Sequence, residues 1–260
     1  MLRGLWTAAT GMACQQTNID VVAHNLANVN TNGFKKSRAN FQDLMYQNLR
    51  TAGATTADGG QVPSGIQVGM GAKVVSVEKL FIQGDYVNTK NELDVAIEGK
   101  GFFKLINNGR EVYTRSGAFK LDKDGYICDS HGNRLQPEFA VPPRTATITI
   151  DSGGRLVASG PDGRELGSVQ IQLFNFPNPA GLRSIGQNLF LPSEASGDPT
   201  QGNPGTDEFG TLAQGFLEMS NVDVVEEMIH MIMAQRAYEI GSKVIQAGDD
   251  MLQMANNLKR

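Results

Sequence analysis

Two heptad-like apolar stripes, one at each end of the chain, limit what this sequence can fold into. Near the N-terminus Leu2, Leu5, Ala9, Met12, Gln16, Ile19, Ala23 and Leu26 follow one another at alternating intervals of three and four, and only Gln16 is polar. Such spacing is the mark of a helix with one narrow apolar seam. Asn30-Thr31-Asn32-Gly33 reads as its stop, with Gly33 placed for a left-handed C-cap. The C-terminus repeats the rhythm through Met233, Ala237, Ile240, Val244, Ala247, Met251, Met254 and Leu258. Ser220-Asn221-Val222-Asp223 resembles a capping box with Ser220 as N-cap, and Met219 and Val224 are spaced as a hydrophobic staple. The expected helix, from about 221 to 257, would be roughly 50 Å long. An amphipathic helix must cover its stripe. The two helices can pair within one subunit or with those of neighbouring copies, and periodicity does not choose between these.

Between the ends the period falls to two. Short alternating runs lie at 73–77 and 93–97, and Phe102–Ile106, Ala146–Ile150 and Val169–Phe174 read as strands. Asn108-Gly109, Asp124-Gly125, Gly153-Gly154 and Asp162-Gly163 supply hairpin turns. Thirty glycines exceed the average of about 7% of residues and fit a turn-rich middle. No alternation of strand and helix occurs, so a doubly wound sheet is not expected. Thr51–Gly65 and Ser193–Asp207 hold few large apolar residues and read as poorly packed. The expected fold class is therefore α+β, with terminal helices pairing as a coiled-coil-like module around an inserted all-β, Greek-key or barrel-like region.

Chemistry is sparse. A net charge of −4 offers no basic surface for nucleic acid. No run approaches the about 18 apolar residues of a membrane span. Gln15, Gln16, Asn18 and Asp20 interrupt any cleavable leader. Cys14 and Cys128 lack metal or redox spacing, and His24, His131 and His230 are scattered. Gly69-Met-Gly71 and Gly99-Lys-Gly101 do not complete a dinucleotide-binding motif, and Asp122-Lys-Asp124-Gly125 reads as a turn rather than a calcium loop. Adjacent carboxylates at Glu226-Glu227 and Asp249-Asp250 point about 100° apart on a helix. We expect no catalytic site, no metal and no cofactor.

Four strings carry a resemblance. They are Ala23-His24-Asn25-Leu26-Ala27-Asn28-Val29-Asn30-Thr31-Asn32-Gly33-Phe34-Lys35, Asp94–Phe103, Tyr113–Phe119, and the run from Ser220-Asn221-Val222-Asp223 to Gln235-Arg236-Ala237-Tyr238-Glu239. Together they resemble the signatures of the bacterial flagellar rod, hook and related axial proteins. Within that family the length, and the stretch from about Tyr46 to Gly65, are similar to those of distal rod subunits, though a proximal rod or hook-type subunit shares much of the pattern. His24 stands where the family usually has Asn. From the residues themselves, Asn25 and Asn28 share a helix face beside the seam, where amides fix register or else face solvent. Gly33 serves the backbone and Phe34 anchors the chain leaving the helix.

The resemblance implies a structural subunit of the flagellar basal body that polymerises into a straight rod, with terminal helices inside the tube and β domains outside. It divides the chain into a helical polymerisation module (1–45 and 215–260), a rod-type stretch (46–65), a connecting β-rich region (66–98 and 200–214) and an outer β domain (99–199). Implied partners are further copies of itself, proximal rod proteins, the hook protein, the P- and L-ring bushing and the flagellar type III export apparatus, with no nucleic acid and no membrane insertion. The implied site is the periplasmic rod, reached without a cleaved leader. A wall-associated binding module with a monomeric helical hairpin is the competing reading.

Overall fold

The computed structural model describes residues 2–53, 63–206 and 208–257. Leu258, the side chain of Leu2, Asp207 and residues 54–62 of the Thr51–Gly65 stretch lie outside the described residues. The class is α+β: an N-terminal helix α1 (Leu2–Ala27), a C-terminal helix α2 (Val224–Asn257) and antiparallel strands between. The chain divides into two units, a helical one (1–26, 37–78 and 224–260) and a β one (27–36 and 79–223).

In the helical unit, strands β1 (Ser37–Asp43) and β4 (Ala72–Lys79) pair, and β2 (Tyr46–Arg50) and β3 (Ile66–Gly69) form an antiparallel ribbon. Gly71 approaches α1 so closely that a Cβ there would lie 2.1 Å from the Thr10 hydroxyl. Its φ of +117° also excludes most other residues.

The β unit has a sheet buried on both faces. Phe103–Asn107 and Arg110–Thr114 are joined by Asn108-Gly109, whose φ values of 49° and 77° suit a two-residue hairpin turn. Alternation sends Phe103, Leu105 and Val112 into one cluster with Ile97, Leu156 and Leu173. Tyr113 faces the other side, joining Phe102, Phe174, Phe176 and Phe190, with Phe81 packed against them. Those rings meet edge to face at 4.9–6.1 Å between centroids, the favoured geometry for aromatic pairs. The other three expected turns each join paired antiparallel strands.

The structure corrects three expectations. The first helix ends at Ala27, with a turn in which Thr31 N–H donates to Asn28 O at 3.1 Å before Gly33 takes its left-handed φ of 70°. The second helix begins at Val224, so Ser220 is too early to cap it, and its buried Oγ makes no hydrogen bond among the described residues. Ser193–Thr206 is not loose. Ser196 is fully buried and bonds Ser193 O at 2.8 Å, and Thr200–Gly202 pairs with Leu173–Asn175. Hydroxyl-to-backbone bonds there do the ordering that apolar burial does elsewhere.

Candidate assembly surface

The C-terminal helix has two different faces. Its buried and half-buried residues are Glu227, Met231, Ala234, Gly241, Ser242, Ile245 and Gly248, and most of these follow a three-four rhythm of their own. This face meets α1. A Cβ on Gly241 would lie 2.7 Å from Met12 Cγ, and one on Gly248 would lie 2.5 Å from Leu5 Cδ2. At the other end Asn25 Nδ2 donates to Glu227 Oε2 at 3.2 Å. As positions rise along α1 they fall along α2, so the helices run antiparallel where they touch. Small residues on α2 make room for large ones on α1.

The seam read from the sequence of α2 lies on the opposite face and is exposed. Met233, Ile240, Val244, Met251 and Met254 are 47–63% accessible, and Ala237 and Ala247 are exposed with them. Met228, Ile229 and Ile232 widen the patch. At 100° per residue these positions cluster roughly 145° from the centre of the buried and half-buried face. On α1 the seam residues Leu5, Met12, Ile19 and Leu26 are half-buried and Ala9 and Ala23 exposed, whereas Cys14, Val21, Val22 and Asn25 are the buried positions. Trp6 is 69% exposed. The β2–β3 ribbon adds Met45, Tyr46, Leu49, Ile66 and Met70, all exposed. Exposed apolar area on this scale in one unit is more than scattered surface hydrophobics account for and makes this a candidate interaction surface.

Among the signature residues, Asn25 is 1% exposed, which removes the solvent-facing alternative. Its amide donates to Ser37 O at 2.9 Å while its carbonyl accepts from Ser37 N–H at 2.8 Å, so it holds the start of β1 against α1. Asn28 accepts from the Thr31 hydroxyl at 3.2 Å. Gly33 cannot gain a side chain, because a Cβ would lie 2.7 Å from Ser116 N. Phe34 is buried under Lys79, whose Nζ sits 4.6 Å from the ring centroid. Asn221 accepts from Lys36 N–H at 2.7 Å and donates to Leu80 O at 2.9 Å, and Val222 is buried. Ala27, Gln235, Arg236, Ala237, Tyr238 and Glu239 are exposed, with Arg236 and Glu239 paired at 2.9 Å.

Sequence reasoning passed over a buried ionic cluster in the β unit. Glu218 Oε1 accepts from Lys35 Nζ at 2.6 Å and its Oε2 accepts from Arg115 Nε at 2.7 Å, with all three side chains at most 6% exposed. Burial pushes the Lys35 amine below its usual range, and the adjacent Glu218 carboxylate opposes that shift. Lys35 and Arg115 stand inside quoted strings, yet nothing local announces a partner 183 or 103 residues away.

No group of His, Cys, Asp and Glu among the described residues could hold a metal, and no described helix is long and apolar enough to cross a membrane. Comparison with known proteins supplies the context for the exposed surface. Residues 5–35 match the family of flagella basal body rod proteins, residues 96–158 the flagellar hook protein FlgE/F/G D1 domain, and residues 213–258 the flagellar basal body rod FlgEFG protein C-terminal family. The flagellar basal-body rod protein FlgG of Borreliella burgdorferi is 47% identical over 266 residues, covering 100% of both chains. That of Caulobacter vibrioides is 46% identical over 99% of this chain and 100% of its own. The FlgG protein of Bacillus subtilis is 37% identical over 100% of both. These proteins are structural rather than enzymatic. The chain belongs to the flagellar basal-body rod protein family, on its FlgG branch, as a structural subunit of the basal body.

Proposed function

We propose that this subunit polymerises into the straight distal rod, the shaft that carries torque from motor to hook. The observation that carries the reading is the exposed apolar face of α2, from Met228 to Met254, on the side of the helix away from α1. A helix apolar on two faces needs two partners. Within the subunit α1 supplies one, in a pairing that we read as coiled-coil-like. A neighbouring copy supplies the other through a heterologous contact whose rotation does not close, so it propagates as a helical filament. The reading includes the division into a helical polymerisation module (1–45 and 215–260), a rod-type stretch (46–65), a connecting region (66–98 and 200–214) and an outer β domain (99–199). Proximal rod proteins and the hook protein would cap the two ends of the filament, and the P- and L-ring bushing would surround it in the periplasm. The subunit would arrive through the flagellar type III export apparatus without losing a leader.

Ile240→Asp tests this. Ile240 is 62% exposed in the subunit, so the change should cost the monomer within about 0.5 kcal/mol. Placed in a subunit interface it would bury an unpaired carboxylate and block growth. We expect a folded chain with an unchanged melting temperature, no rods in electron micrographs and no motility. Normal rods would exclude the α2 face as the polymer contact.

A further inference from the structure

Three segments of the β unit lie where the chain passes between the two units: 27–36, from 79 onward, and the run up to 223. Inside the β unit these segments are bonded to one another. Lys35 Nζ donates to Glu218 Oε1 at 2.6 Å and to Ile82 O at 2.7 Å. Glu218 Oε1 also accepts from Gln83 Nε2 at 3.1 Å and from Gly84 N–H at 3.0 Å. Gly33 N–H donates to Glu218 O at 2.8 Å, and Leu80 N–H to Lys36 O at 2.9 Å. Lys79 Nζ reaches Lys35 O at 3.3 Å. Asn221 completes the lacing through Lys36, Leu80 and Ile82. Arg115 ties the cluster to the sheet, giving Nη1–H to Gly101 O at 2.6 Å and Nη2–H to Gly99 O at 2.5 Å.

Burying two cations and one carboxylate is a poor way to gain stability, because desolvation consumes most of the attraction. What such a set can contribute instead is specificity, because breaking any one of its bonds leaves a buried charge or carbonyl without that partner. We propose that Lys35, Glu218 and Asn221 form a clasp that fixes these three segments of the β unit relative to one another, and that this fixed spacing, rather than the stability of the β unit, is what a straight polymer requires of them. Lys35 is the positioning residue that joins all three segments. The inference rests on the rod reading above, since it assigns the clasp its purpose in the filament.

The experiment compares full-length parent, Lys35→Met and Leu156→Ala in a strain that lacks its own copy of this rod protein. Lys35→Met leaves Glu218 and Arg115 as a balanced pair and removes the Nζ bonds to Glu218 Oε1 and Ile82 O. Leu156 is a fully buried core residue of the strand Arg155–Ser159 and serves as a control for lost stability. We expect Lys35→Met to remain folded with a melting temperature lowered by about 5 °C. It should nonetheless lose straight rods at temperatures where the purified chain is folded, while Leu156→Ala, at equal or greater loss of stability, still builds them. Straight rods from Lys35→Met would overturn the proposal. So would equal damage from both variants, or a Lys35→Met chain that does not fold, because the cluster would then serve stability alone. If the parent itself built no rods, the rod reading would fall and not merely the clasp.

Discussion

Tyr113 has no exposed surface, and its hydroxyl lies 3.5 Å from a Glu111 carboxylate oxygen. Burial, reinforced by the Glu111 charge, raises its pKa to about 12. The fold therefore favours the neutral phenol, while an unfolded chain ionises it near the ordinary value of 10. The resulting stability is fully present below pH 10 and is lost as pH rises toward 12, by about 2–3 kcal/mol at most. Tyr113→Phe should match the parent within about 1 kcal/mol at pH 8. Between pH 8 and 11.5 its urea midpoint should fall less than the parent's; parallel decline would remove Tyr113 as the cause. Legibility at this scale followed the chemistry of single residues. Gly33 was readable because a left-handed turn after a helix calls for glycine. Asn25 was readable as an amide beside a seam, although its bond to Ser37 was not. Lys35 and Glu218 were not readable, since a charged side chain ordinarily faces water and only the folded chain brings the pair together.

At the scale of elements, α2 carries two rhythms at once. Large residues at 233, 240, 244, 251 and 254 dominate any hydrophobicity count, so the sequence draws attention to the face that is exposed in the subunit. The face that touches α1 is marked by Ala234, Gly241 and Gly248, seven apart, which score weakly as hydrophobic, and the two glycines are poor helix formers. The middle strands were legible through alternation and turn dipeptides. The break between Glu165–Gln170 and Leu173–Asn175 was hidden inside one alternating run, Val169–Phe174. The small-residue face has a measurable consequence. Gly241→Ala gains about 1 kcal/mol of helix propensity and needs only the flexible Met12 side chain to shift, so it should be near neutral or mildly stabilising. Gly241→Leu should overpack the contact at a cost of about 1–3 kcal/mol. Amide exchange across Val224–Asn257 in the monomer would report this, slowing or holding for alanine and accelerating for leucine. Equal protection in both variants would mean that Gly241 does not govern the helix contact.

At the scale of the molecule, apolar burial is unevenly shared. Among the described residues both hydrophobic clusters, including Ile97, Phe103, Leu105, Tyr113 and Leu173, belong to the β unit. The helical unit holds Trp6, Met45, Leu49, Ile232, Met233 and Ile240 in water. Local stability follows buried apolar contact, so the two units should open at different free energies. In the purified monomer, amides of the strands Phe103–Asn107 and Arg110–Thr114 should exchange only through global unfolding. Those of α1 and of the C-terminal half of α2 should exchange faster, because a two-stranded ribbon and a half-covered helix pair supply little to hold them. Assembly changes this balance for one unit only. If copies of the chain cover the Met228–Met254 face, protection in α2 should rise by orders of magnitude in isolated rods while the β strands change little. Protection that rose in the strands instead would assign the polymer contact to the β unit, and α2 would then need another reason for its exposed apolar face.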